Sequence, residues 1–487
     1  MKGSQYIFFL LVSFSLTLPL GGVTPNILFI VSEDNGPEIG CYGTPIDTPH
    51  LDELARQGTL FGNAYVPQAG CSQSRAAFLT GLYPHQNGQI GLATWNYSMY
   101  SGKIPNMVSV LKKAGYRTGI IGKLHVKPKD AFPFDFKAIT SSNFARKKMH
   151  SYAAEAKRFL ADGNKPFYLQ VNYPDAHRPF IKTVDNLPHK PLTGKDVDAL
   201  PCMGINHPEL RQQTADYYNC MMRLDAYIGE LLKVLESSGR AESTVVVYIG
   251  DHGADLLRGK RTCYEGGVKI PMIIRWPGAK GGQKRMELVS SLDLFPTFCE
   301  IAKTSLPDRF NGGYRYPGRS LNKLIHGASP KWRTYLFTEY HLHSNHNPWP
   351  QRAVRGQRYK LIFNPLAGEV NPGYAFTMGK KFFDAPEEQL LAEAPEQVRQ
   401  AYGLMRSPPR HELYDLQEDP HEFNNLADDP VHAKTLQRLQ SVLTRWQKDS
   451  GDALVFPQLS RKLFELIREA GTKERKVLDY QFMKRKP

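Results

Sequence analysis

Cys71 opens the stretch CSQSRAAFLTG, and Arg75 follows four residues later. The stretch predicts a helix with a reactive residue at its tip. Residues four apart share one helix face, so Cys71 and Arg75 can line one pocket. A helix N-terminus carries a positive potential that favours anions. A cysteine placed there is a candidate nucleophile. Read alone, it fits equally a buried structural cysteine, the commoner fate of an isolated one. Four further runs mix acidic, basic and histidine residues. Glu33 and Asp34 lie in SEDNG, Lys123 and His125 in GKLH, His177 and Arg178 in PDAHRPF, and Asp251 and His252 in GDHG. Lys260 stands in RGKRTCYEGG. Carboxylate oxygens suit a hard divalent cation. Lysines can stabilise charge developing on a transferred group. A histidine can donate a proton near neutral pH. Taken singly, each has a plainer reading: SED as loop solvation and helix capping, the lysines as surface charge, His177 as a structural histidine.

The elements around these runs give them a common place. NILFIV, RTGIIG, PFYLQV and STVVVYIG are short apolar runs that predict buried strands. SEDNG, GKLH, PDAH and GDHG each follow the C-terminal end of one of them. Between them lie predicted helices. TPHLDELARQG has Thr48 as N-cap, Pro49 at its first position and Gly58 after its end. PNMVSVLKKAG closes at Gly115, and HPELRQQTADYYNCMMRLDAYIGELLKVLESSG is a long amphipathic helix. PMIIRWPG predicts another strand and SSLDLFPTFCEIA another helix. Alternating strands and helices predict an α/β fold with a mostly parallel sheet flanked by helices. Ligands bind at the carboxyl edge of such sheets, so the four runs can converge there. Past Glu339 the texture changes to a hairpin in QRAVRGQRYKLIFN and an amphipathic helix in VHAKTLQRLQSVLTRWQKD. These predict a smaller C-terminal α+β subdomain. The expected organisation is a signal peptide over residues 1–23, a catalytic domain over 24–340 and the subdomain over 341–487, ending in a mobile basic tail.

These motifs, in this order, resemble those of the type I sulfatases, whose fold is alkaline-phosphatase-like. Within that family YPHQNGQIGL, GKLHVKP, PFDF, PDAHRPF and AVRGQRYKLIFN are most similar to heparan N-sulfatases. The resemblance implies that Cys71 is oxidised to formylglycine, whose hydrate attacks sulfur with one hydroxyl and expels sulfate with the other. It implies Arg75 as the anchor of the diol and metal region. Lys123, His125 and Lys260 would hold the diol and sulfate oxygens, with His177 near the leaving group. It implies a Ca²⁺ site at Glu33, Asp34, Asp251 and His252, with another divalent metal left open. Two positions depart from the usual pattern: Glu33 replaces an aspartate, and His252 stands where many members have asparagine. Gln73 replaces the proline of Cys-x-Pro-x-Arg, the pattern read by the formylglycine-generating maturation enzyme. Arg178, together with His341, His343 and Arg352 of the loop TEYHLHSNHNPWPQR, are candidate substrate contacts; that loop fits an interdomain connector equally well.

Chain-wide features bound the partners. The net charge is +15, a surface that attracts polyanions. No nucleic-acid motif accompanies it, so acidic polysaccharide is the better candidate. The start MKGSQYIFFLLVSFSLTLPL reads as an export signal rather than a retained membrane span, which places the protein in a periplasm or outside the cell. Six cysteines show no zinc spacing, and Cys202 with Cys220 is a candidate bridge. Two rival readings remain at this stage. One is a phosphodiester or phosphonate hydrolase of the same wider superfamily. The other is a noncatalytic binder of sulfated polysaccharide with Cys71 unmodified.

Overall fold

A computed structural model describes residues 24–140, 146–306, 309–310, 314–379 and 382–484. The expected signal peptide lies outside the described residues. Eight strands form the main sheet: β1 (Asn26–Ser32), β2 (Thr59–Phe61), β3 (Arg117–Gly122), β4 (Phe136–Ala138), β5 (Phe167–Asn172), β6 (Thr244–Gly250), β7 (Met272–Arg275) and β8 (Gln283–Arg285). Their spatial order is β8-β2-β7-β6-β1-β5-β3-β4. The run from β6 to β4 is parallel throughout, while β7 is antiparallel to both its neighbours. The parallel α/β expectation holds.

The central strands are apolar on both faces because both are covered. In β1, Leu28 and Ile30 join one core with helices α1 (Pro49–Gln57), α4 (Ser151–Leu160) and α5 (Pro208–Ser237). Ile27, Phe29 and Val31 join the opposite core with α2 (Cys71–Thr80), α3 (Met107–Lys113) and α6 (Leu294–Ile301). Register brings the strand ends level. Val31 pairs with Asn172, Gly122 also pairs with Asn172, and Ser32 pairs with Gly250. The residues that follow β1, β3, β5 and β6 therefore emerge side by side.

A second, antiparallel sheet has the order β9 (Leu336–Tyr340), β10 (Gln351–Arg355), β11 (Tyr359–Phe363), β12 (His411–Asp415). Its Val354, Leu361 and Leu413 pack on Leu439, Leu443 and Trp446 of helix α7 (Ala433–Ser450). This sheet begins at Leu336, ahead of the boundary expected at 341. Antiparallel pairing with β10 assigns Leu336–Tyr340 to it.

Two expectations are corrected here. All six cysteines are free, so Cys202 and Cys220 do not bridge; Cys220 Sγ instead accepts from Arg223 Nη2 at 3.2 Å. The basic tail is docked as far as residue 484. Tyr480 donates its hydroxyl to the Ser98 carbonyl at 2.8 Å and accepts from Ser98 N at 2.9 Å, and Met483 is buried. The anchoring tyrosine and methionine outweigh the charged residues around them.

Candidate active site

The loops after β1, β3, β5 and β6 meet the N-terminus of α2. Cys71 is the first residue of α2, behind an extended Gly70. Every residue of this helix is buried, including Ser72, Gln73, Ser74 and Arg75. Buried polar groups need partners, and Arg75 has them on every side. Its Nε donates to Asp251 Oδ2 at 3.1 Å and its Nη2 to Glu33 Oε2 at 2.8 Å. Its Nη1 donates to Asn172 Oδ1 at 2.8 Å and to the Lys123 carbonyl at 3.1 Å. One guanidinium thus ties together the ends of all four central strands.

Three carboxylates and three cations alternate around Cys71. Lys123 Nζ pairs with Glu33 Oε1. Lys260 Nζ spans both oxygens of Asp34, at 2.9 and 2.8 Å. Asp34 N donates to Asp251 Oδ1 at 2.9 Å. Burial pushes Glu33 upward, but Lys123 and Arg75 outweigh it and hold the carboxyl well below the usual range. Asp34 is lowered in the same way, chiefly by Lys260 against its burial. Asp251 moves the other way, raised by burial and by Glu33 beside it. Cys71 Sγ lies 3.8 Å from Asp34 Oδ1 and 3.5 Å from His252 Nε2. Burial pushes its thiol well up despite Lys123 and Lys260. The unmodified thiol is therefore a poor nucleophile, because the thiolate is the reactive form.

The histidines are set by their backbone partners. His252 Nδ1 faces the Gly253 carbonyl at 2.9 Å. A carbonyl only accepts, so Nδ1 carries a hydrogen and donates it there. His252 Nε2 lies 3.2 Å from Asp34 Oδ1. His177 is held likewise, with Nδ1 donating to the Arg178 carbonyl at 2.6 Å. His125 follows β3 with a left-handed backbone, φ 56°. Both its ring nitrogens are buried and lack a hydrogen-bond partner among the described residues. Burial and Lys123 push its pKa well down, so the ring is neutral.

Ligand atoms of Glu33, Asp34, Cys71 and His177 all lie within 4.8 Å of one another, as do those of Cys71, Asp251 and His252. The set is rich in carboxylate oxygen, with imidazole nitrogens of His177 and His252 beside it. It fits a hard divalent cation.

The sulfatase family profile matches residues 25–304, more than half of the chain. The chain belongs to the sulfatase family. A profile described as N-sulphoglucosamine sulphohydrolase, C-terminal, matches residues 250–370. The chain is 32% identical to human N-sulphoglucosamine sulphohydrolase over 465 residues, covering 88% of this chain and 91% of the relative. It is 28% identical to an ulvan-active sulfatase of Formosa agariphila, covering 88% and 81%. A solved structure holding its substrate D-glucosamine-2-N,6-O-disulfate aligns with a TM-score of 0.65 at 22% identity, covering 88% and 98%. A phosphonate monoester hydrolase of Agrobacterium radiobacter aligns with a TM-score of 0.64 at 18% identity, covering 88% and 96%; likeness at that level shows the fold alone. The protein is a sulfatase, an enzyme of sulfate-ester or sulfamate hydrolysis, on the alkaline-phosphatase-like fold.

In this sulfatase the candidate substrate contacts divide. Arg178 lies at the rim, half-buried, donating from Nε to the Asp255 carbonyl and from Nη2 to Gln213 Oε1, each at 2.6 Å. His343 belongs to the pocket. Burial, Lys260 and Arg261 push its pKa well down, and its Nε2 is buried with no hydrogen-bond partner among the described residues. His341 and Arg352 are corrected. Arg352 donates to Asp452 Oδ2 at 2.7 Å and Oδ1 at 2.8 Å, to the carbonyls of Gln351 and Tyr340, and to His341 Nε2 at 2.9 Å. His341 Nδ1 meets Gln68 Oε1 at 3.0 Å. Both are fully enclosed and spend their polar atoms within the fold, leaving none for a substrate.

Sequence reasoning missed Asn172, Asp255 and Asp175. Asn172 ends β5 and receives Arg75. Asp255 pairs with Arg261 through both oxygens and stands 3.8 Å from Lys260 Nζ. Asp175 takes Arg146 Nε at 3.0 Å and Arg223 Nε at 2.8 Å. Its carbonyl also accepts from Glu33 N at 2.9 Å. The available signal was their place: each follows or ends a strand whose neighbours were already candidates.

Proposed function

We propose that this sulfatase removes sulfate from a sulfated carbohydrate, and that the group cleaved is the N-sulfate of glucosamine. The observation that carries the reading is the meeting of Cys71 with three carboxylates and three cations at one sheet edge. The N-sulfate assignment is supported by similarity to the human N-sulphoglucosamine sulphohydrolase over most of both chains. Cys71, once oxidised to formylglycine by a maturation enzyme, supplies the nucleophile. Glu33, Asp34, Asp251 and His252 would hold the divalent cation, with Ca²⁺ favoured by the oxygen-rich set; bound there, it polarises a sulfate oxygen. Arg75 fixes Glu33 and Asp251 in place. Lys123 and Lys260 offer positive charge, and His125 its open ring nitrogens, to the sulfate oxygens. His177, fixed through Nδ1, holds the proton for the departing amine or alcohol at Nε2 when its ring is charged. The apolar N-terminal run supports export, to a periplasm or beyond. No helix among the described residues is long and apolar enough to cross a membrane.

The test compares sulfate release from N-sulfoglucosamine, from 6-O-sulfated glucosamine and from an aryl sulfate, with an aryl phosphate alongside. The protein must carry formylglycine at position 71, verified by peptide mass spectrometry. Fastest turnover of N-sulfoglucosamine is the expected result. Faster phosphate hydrolysis would overturn the sulfatase chemistry; faster O-sulfate release would overturn only the N-sulfate assignment.

A further inference from the structure

Lys260 and Arg261 are adjacent and share Asp255, and Arg261 reaches on beyond it. Lys260 closes on Asp34 inside the pocket. Arg261, nine-tenths buried, lies 5.5 Å from the ring centre of Phe376 and 5.4 Å from that of Phe382, and its Nε has no hydrogen-bond partner among the described residues. From there a row of rings continues. Phe376 stacks on His346 at 5.5 Å, and His346 meets Trp95 edge-on at 5.2 Å. Arg475 of the docked tail ends the row, 5.3 Å over the Trp95 ring.

Three things set this row apart from ordinary core packing. Trp95, Phe376 and Phe382 are only half-buried and His346 is exposed, with Trp95 and Phe382 each resting one side on a hydrophobic cluster. The rings come from distant stretches of chain, so no single hairpin or helix accounts for them. The row is also fixed to the nucleophile: Ala93 N, two residues before Trp95, donates to Ser72 Oγ at 2.9 Å, next to Cys71. On the far side, Asn96 Nδ2 donates to the Arg475 carbonyl, and Arg475 Nη1 donates to the Thr94 carbonyl at 3.1 Å.

We infer that the sulfate pocket continues into a second sugar subsite along Trp95, His346 and Phe376, with Arg475 at its far end receiving an anionic group of the neighbouring sugar. Sugar rings present a C–H face that packs on aromatic rings, and half-buried aromatic residues with a few placed polar groups are the usual lining of such sites. A guanidinium at the end of the row suits a carboxylate or sulfate on the next residue. The occupant is therefore the continuation of an anionic oligosaccharide already held by the pocket. The inference rests on the proposed substrate class but is tested by binding, so it stands or falls separately from turnover.

The experiment measures Kd by calorimetry for two ligands: N-sulfoglucosamine, and a tetrasaccharide alternating N-sulfated glucosamine with uronic acid. Wild type is compared with Arg475→Ala and Trp95→Ala; His346→Ala, at an exposed position, replaces Trp95→Ala if the latter misfolds. Wild type is expected to bind the tetrasaccharide at least tenfold more tightly than the monosaccharide. Each variant is expected to lose about tenfold in tetrasaccharide affinity beyond any change for the monosaccharide. Equal wild-type affinities, equal losses for both ligands, no loss in the variants, or binding of neither ligand by wild type would each overturn the subsite. Tight tetrasaccharide binding without sulfate release would leave the subsite standing and count only against the proposed reaction.

Discussion

Gln73 Nε2 donates to the Leu342 carbonyl at 2.7 Å, tying the nucleophile helix to the segment that carries His343. Gln68 Nε2 reaches the same carbonyl at 3.1 Å. Gln73 is the third residue of α2, where a backbone N–H has no intrahelical acceptor. A proline is tolerated there for that reason, so the family's proline and this glutamine fit one backbone. The glutamine adds a tether that proline lacks. Gln73 Nε2 also donates to the Ile90 carbonyl at 3.3 Å, so Gln73→Pro is expected to keep the fold and lose about 1–2 kcal/mol, the worth of two hydrogen bonds. Urea denaturation checks this, and unchanged stability would remove the tether from the account.

Burial pushes the Cys71 thiol well up, so the proposed reaction rests on its conversion to formylglycine. Across preparations with different extents of conversion, activity should rise in proportion to the aldehyde fraction at position 71. Peptide mass spectrometry gives the fraction and sulfate release gives the rate. Activity in fully unconverted protein would contradict the assignment.

His177→Ala should depend on the leaving group. Loss of a general acid typically costs about 10²–10⁴ in rate. The full loss is expected with sugar substrates, whose amine or alcohol leaves poorly. A much smaller loss is expected with nitrophenyl sulfate, whose phenolate needs little protonation. Equal losses on both would reassign His177 to a structural role.

Asp225 gives a pH signature away from the site. It accepts from Leu51 N at 2.8 Å and His50 N at 3.2 Å, yet burial pushes its pKa to about 7 against 3.8 when exposed. Between those values the folded protein binds more protons at this group than the unfolded chain. Its contribution to unfolding free energy therefore falls as pH rises from about 4 to about 7, then levels off. Three pKa units bound that fall at roughly 4 kcal/mol. Asp225→Asn should gain stability relative to wild type across this window, read as the difference between their melting curves. A difference independent of pH would refute the raised value.

Arg352 and Asp452 form a buried pair between β10 and the segment after α7. Arg352→Ala leaves Asp452 uncompensated and should cost about 3–5 kcal/mol. Replacing both, as Arg352→Met with Asp452→Leu, should cost less than the single change. Thermal melting of the three proteins decides; a specificity change without loss of stability would restore Arg352 as a substrate contact.

The sequence by itself determined which residues stand at the sheet edge. Apolar runs such as NILFIV and STVVVYIG bury, and the polar residues just past them are delivered to a common rim whatever else the chain does. Strand type, strand direction and the placing of Glu33, Asp34, Lys123, His177, Asp251 and His252 follow from that local rule. Partner choice is different in kind. His341 and His343 sit two residues apart in one loop, yet one is spent on Gln68 and Arg352 while the other keeps an open nitrogen at the pocket. Arg352 finds Asp452 a hundred residues away, and Tyr480 finds Ser98 nearly four hundred away. No local pattern encodes such meetings. Tertiary packing decided them, because a buried polar group must be satisfied by whichever chain segment the fold brings within hydrogen-bond reach.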